Sequence, residues 1–156
     1  MSAQTVTNRP WHLWIVAILA LLWNSIGCLD FFMTQTENVA HFEKAGITAE
    51  QMGFFTAFPT WAVLLWGVAV CSPMVGVICL VLKKRIAVEV YLLGLVTYVA
   101  AMIRQYGFTE FTALFPETHY QVFSVVIFII ALGQLLYARA MKTRGAFATG
   151  EKARNG

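Results

Sequence analysis

Six polar side chains fall inside or at the edges of long apolar stretches, and any chemistry in this chain starts with them: Asn24, Asp30, Glu89, Tyr98, Arg104 and Gln134. An ionisable group in hydrocarbon is costly, so such a group marks either a paired anchor or a working site. Asp30 and Arg104 close two apolar stretches on the same expected side. They are expected at similar depth, as an ion pair or as the mouth of a polar site. Glu89 stands four residues after Arg85, a helical spacing, and is expected to pair with it or to reach the nearer surface. Asn24 and Gln134 are amides at membrane depth, Asn24 in the outer half of its stretch and Gln134 in the inner half. Interhelical hydrogen bonds or the lining of a solute path are their two readings. Pro73 interrupts an apolar stretch near its middle and is a hinge or packing-bend candidate.

Metal and nucleophile chemistry has little to work with. His41 and His119 are metal candidates by position only, with Glu37 and Glu117 nearby in sequence. No H-E-x-x-H or C-x-x-C spacing is present, so no metal and no cofactor is assigned. Cys28, Cys71 and Cys79 lie in apolar stretches and read as small packing residues. No Ser-His-Asp order, phosphate loop or dinucleotide motif occurs, so no catalytic residue is assigned and the chain is read as a non-enzyme.

The elements that position these residues are membrane helices. Hydrophobic residues make up 59% of the 156 and charged residues 12%, about half the charge of a soluble domain, usually about 25%. That composition excludes a soluble globular protein, a disordered chain and a nucleic-acid binder. Four stretches reach the roughly 20 apolar residues that cross a bilayer: about 11–30, 59–82, 86–103 and 121–140. The expected fold is an all-α, four-helix transmembrane bundle over residues 1–140, followed by a basic tail, 141–156, expected to be disordered or to lie near anionic lipid.

Charge sets the expected orientation. Nine of the eleven Lys and Arg residues, among them Arg9, Lys83, Lys84, Arg85, Arg139, Lys142, Arg144, Lys152 and Arg154, fall on the side of the termini. Cytoplasmic loops carry such an excess, so both termini are expected inside. The net charge of +3 is thus a topology signal. Thr48-Ala49-Glu50-Gln51 has the form of a capping box and is expected to open a short amphipathic helix in the first outer loop, ended before Pro59. Gly53 to Pro59 and Gly107 to Pro116 share a Phe-Thr-Ala and Phe-Pro pattern, the trace of a repeat or two natural interfacial helix starts. Each span also carries a stripe of small and polar residues, such as Ala17, Ala20, Asn24 and Gly27 in the first, as helix packing in lipid requires.

The run Leu22-Trp23-Asn24, Gly27, Asp30 and Met33-Thr34-Gln35-Thr36, with Glu50-Gln51, Phe58-Pro59-x-Trp61 and Trp66-Gly67, resembles a family of small proteobacterial inner-membrane proteins, some of them described as sugar transporters. The resemblance spans roughly residues 13 to 100. It implies a bacterial inner-membrane location and assigns no activity. The expected role is a non-catalytic accessory, assembly or interaction subunit, with a small oligomeric solute transporter or channel as the alternative. The expected partners are the lipid bilayer and either further copies of the chain or a larger membrane complex.

Overall fold

The computed structural model describes residues 11–145 and 147. Seven helices follow in order: α1 (Trp11–Gln35), α2 (Val39–Lys44), α3 (Ala49–Thr56), α4 (Thr60–Val81), α5 (Ala87–Phe108), α6 (Phe111–Leu114) and α7 (Thr118–Thr143). The four long ones, α1, α4, α5 and α7, are each long and apolar enough to cross a membrane. They form the expected all-α four-helix bundle, the arrangement that leaves no backbone polar group facing lipid. The helices α1, α5 and α7 run past the expected stretches, because segments such as Phe31 to Gln35 and Arg104 to Phe108 continue the backbone ladder. Helix α7 also carries the first tail residues, Met141 to Thr143, as helix. Arg9, Lys152 and Arg154 lie outside the described residues.

Local chemistry sets the ends of these elements. After α1, Glu37 takes a left-handed backbone (φ 51°), and Asn38 N–H bonds back to the Met33 carbonyl at 3.0 Å. After α4, Lys83 (φ 55°) does the same, and Lys84 N–H reaches the Cys79 carbonyl at 2.8 Å. Both are the closed turn in which the chain reverses within a few residues and satisfies the last helical carbonyls. The expected capping box opens α3: Gln51 N–H donates to Thr48 Oγ1 at 3.2 Å, and Thr48 N–H donates to Gln51 Oε1 at 3.0 Å. Pro59 precedes α4 with φ −64°, its ring already set for a helix start.

The tight Lys83 turn makes α4 and α5 the closest pair, and the order around the bundle is α1, α4, α5, α7. Small residues permit the approach. A Cβ on Gly76 would meet the Tyr91 ring at 2.9 Å, and one on Gly94 would meet the Pro73 ring at 3.1 Å. Pro73 therefore lies inside a continuous helix with its ring seated on Gly94.

The densest packing occupies the end of the bundle where α1 begins and α7 ends, here called the terminal end. Leu13, Ala17, Val77, Leu80, Ala87, Tyr91, Leu135, Ala138 and Met141 are all buried there. The opposite end, where the long loops lie, is covered by α3 and α6. Phe54 and Phe55 of α3, Phe111 of α6 and Phe115 just after it form a ring cluster with centroids 4.6–5.9 Å apart, and Gln51 Nε2 donates to the Leu114 carbonyl at 2.8 Å. The two Phe-rich segments thus meet and form one lid. Away from the core, Ile15, Leu19, Leu64, Leu93, Val125 and Ile129 point outward and are exposed, as a lipid-facing surface requires.

Candidate functional site

Between the dense terminal end and the aromatic lid the four helices enclose a chamber of about 560 Å³, partly open to the outside. Small side chains help create it: Ala62, Ala69, Ala101 and Ala131 line the space that larger residues would close. Its walls are mostly apolar. Most of its polar groups come from three of the long helices: Asn24 and Asp30 on α1, Tyr98, Arg104 and Gln105 on α5, and Ser124 and Gln134 on α7; α4 contributes the apolar Pro73 ring and the Trp66 indole. His41 of α2 joins them at the loop end. Volume and lining are those of a small-molecule site, apolar with a few convergent polar groups.

Five of the six polar residues marked by the sequence therefore gather around one space, and their partners differ from several expectations. Asn24, only 6% exposed, exchanges two hydrogen bonds with Gln134: Asn24 Nδ2 donates to Gln134 Oε1 at 3.2 Å, and Gln134 Nε2 donates to Asn24 Oδ1 at 3.3 Å. Helical side chains lean toward the N-terminus of their own helix. In antiparallel α1 and α7 that leans the two amides toward each other and bridges their difference in depth. The Tyr98 hydroxyl donates to the Ser124 carbonyl at 2.7 Å, and Ser124 Oγ donates to the Tyr120 carbonyl at 3.0 Å, leaving Tyr106 OH to donate to Ser124 Oγ at 2.9 Å. This network fastens α5 to α7.

Of the two readings of Asp30 and Arg104, the ion pair is not formed, although both residues line the chamber. Asp30 Oδ1 lies 2.9 Å from His41 Nε2, because the turn after α1 folds α2 back over the end of α1. The Arg104 guanidinium instead lies over the Phe58 ring, 4.4 Å from its centroid, with Trp61 at 5.4 Å. Glu89 is the residue that stays apart. It sits at the terminal end of α5, and the partner it finds is Lys142 of α7, at 2.8 Å on an exposed surface. Neither metal candidate gathers further ligands. His41 is held by Asp30, His119 packs on the Tyr120 ring at 4.0 Å between centroids, and among the described residues no three His, Cys, Asp or Glu side chains converge.

Several contacts have no counterpart in the sequence reading. Cys28 Sγ donates to the Val70 carbonyl at 3.6 Å, with Cys71 beside it on α4. His12 Nδ1 meets Tyr137 OH at 2.9 Å near the terminal end. The cation over Phe58 and Trp61 does have a sequence signal. The short Lys83 turn makes α4 and α5 antiparallel neighbours, so the start of α4 must lie level with the end of α5, where Arg104 stands.

The chain matches no protein-family profile, no curated protein and no solved structure.

Proposed function

We propose that this is a multi-pass membrane protein that holds a small, mainly apolar molecule inside its four-helix bundle, as a binding or carrying subunit with no catalytic residue. The chamber carries the reading. A packed bundle of this size has no structural need for about 560 Å³ of space, because helices in lipid associate through close packing of small residues. The small side chains that let α4 touch α5 at the terminal end here leave room for something else. Asn24, Gln134, Tyr98, Ser124 and Asp30 each have a partner that fixes their direction, which suits recognition of a bound molecule.

The chamber is blind. Val77, Ala87 and Ala138 below it are fully buried, at 0% exposure, which supports a holding role over an open channel. Solute transport is the second reading, and Pro73 is what favours it. Its ring abuts the chamber, and a proline inside a membrane helix is a place where the helix can bend. The Lys and Arg bias supports termini on the cytoplasmic side. The resemblance in the Leu22 to Gly67 region supports the inner membrane of a bacterium, and the lipid bilayer is the first partner.

Gentle extraction of the full-length chain from native membranes, followed by native mass spectrometry, tests the proposal. The expected result is one small molecule per chain that is lost when Ala131→Phe fills the chamber while the unfolding temperature holds. A polypeptide mass alone, or a larger protein partner with no small molecule, contradicts it. The same spectrum gives the copy number and so decides between a homo-oligomer and a larger complex.

A further inference from the structure

We propose, resting on the chamber reading above, that the ligand is a single-chain amphiphile with an anionic head, a carboxylate or a phosphate. Arg104 holds the head, and the chain lies in the chamber after passing between α1 and α7.

Arg104 is the first observation. It lines the chamber near its loop end. Its guanidinium carbon lies over the Phe58 and Trp61 rings, 4.4 and 5.4 Å from their centroids, and none of its five N–H donors finds a hydrogen-bond acceptor among the described residues. Among the described residues no carboxylate lies within ion-pair distance of Arg104; Asp30, the one acidic residue lining the chamber, is committed to His41. A cation fixed in orientation at the edge of an apolar space, with its donor edge free, matches a planar or tetrahedral anion that accepts two parallel hydrogen bonds.

The seam between α1 and α7 is the second observation. These two helices are neighbours around the bundle, yet they come together through long side chains, His12 to Tyr137 and Asn24 to Gln134, with little backbone approach. The seam is flanked by Trp23, next to Asn24 of that amide bridge, and by Phe123, nearer the loop end, with ring centroids 6.3 Å apart. Ile26 and Phe123 line the chamber and are also 65% and 56% exposed on the outer surface. The chamber therefore reaches the outside among lipid-facing side chains. A molecule arriving there comes from the bilayer, its chain at the depth of Ile127 and Ala131 and its head toward the loop end, where Arg104 is. A lipid has that arrangement already, so it needs no reorientation to enter.

The test uses the full chain in discs of neutral phosphatidylcholine and dibrominated stearate, whose bromines quench tryptophan; Trp23 and Trp66 line the chamber. The expected result is saturable quenching, reversed by unlabelled stearate. Arg104→Gln is expected to weaken the stearate about tenfold and dibrominated stearyl alcohol less than about twofold, and Arg104→Lys, which keeps a point charge, to stay within about threefold of the wild type. Unfolding temperatures verify that each variant folds. Equal binding of acid and alcohol, unmoved by Arg104→Gln in a folded protein, overturns the anionic head and leaves the chamber reading standing. Displacement of stearate by inorganic phosphate alone overturns the amphiphile and makes Arg104 a site for a free anion. No saturable quenching by either probe overturns this inference; the retained mass in the native spectrum then decides separately whether the chamber reading also falls.

Discussion

Asn24 and Gln134 join two helices that otherwise meet sparsely, and their amides satisfy each other. An interhelical bond in lipid contributes about 0.6 kcal/mol on average, while a buried amide left without its partner costs roughly 1–3 kcal/mol. Asn24→Leu and Gln134→Leu each strand the other amide, so the double replacement is expected to cost less than the sum of the two single ones. A double-mutant cycle on denaturant-induced unfolding in micelles measures the difference; strict additivity contradicts the pairing. Glu89 and Lys142 are a contrast. Their pair is exposed, at 56% and 42% for the two side chains, and water weakens such pairs. Glu89→Gln is expected to leave the unfolding temperature unchanged, and a clear drop would show that the pair matters more than its exposure allows. The sequence marks Asn24 and Gln134 as buried amides but places them at different depths. What it does not carry is the lean of each side chain toward its own N-terminus, which closes the gap once the helices are known to be antiparallel.

At the scale of the helices, one turn explains most of the close contacts. The Lys83 reversal sets the register of α4 against α5, so Gly76 faces Tyr91, Pro73 faces Gly94, and Trp61 lies level with Arg104. Each of these pairs is nearly symmetric about the turn, so the shortness of the connection carries their register, although the individual contacts needed coordinates. Gly76 tests the register. Gly76→Ala puts a methyl 2.9 Å from the Tyr91 ring, and overpacking of this kind costs about 1–3 kcal/mol. Gly133→Ala meets nothing within 4 Å and is expected to be neutral. Equal unfolding temperatures for the two variants would contradict the α4–α5 contact. The partner of Asp30 was not legible. Lys and Arg counting places Asp30 and Arg104 on one side, but the left-handed Glu37 brings α2 and His41 over Asp30. A positive φ at a glutamate carries no sequence signal.

The whole molecule divides into a dense half and a hollow half. Composition and span counting read the four-helix membrane bundle correctly, and the small-residue stripes gave the packed faces. The chamber was not legible, because the same small residues that bring helices together at one end leave space at the other. Only the course of the helix axes decides which. The loop-end lid was half legible: the capping box and both Phe-rich segments were visible, but their contact needed coordinates.

Cysteine accessibility is the measurement that tests this division most directly. In a chain with Cys28, Cys71 and Cys79 replaced by Ser, single Ala→Cys changes at Ala101 and Ala131, which line the chamber, and at Ala17 and Ala138, in the dense half, are treated with a small thiol reagent in intact membranes. The expected result is modification at Ala101→Cys and Ala131→Cys at least about tenfold faster than at Ala17→Cys and Ala138→Cys, following the fall in reactivity of a buried thiol. Equal rates at all four positions would contradict the blind chamber, whether because a continuous path crosses the bundle or because its hollow half is closed.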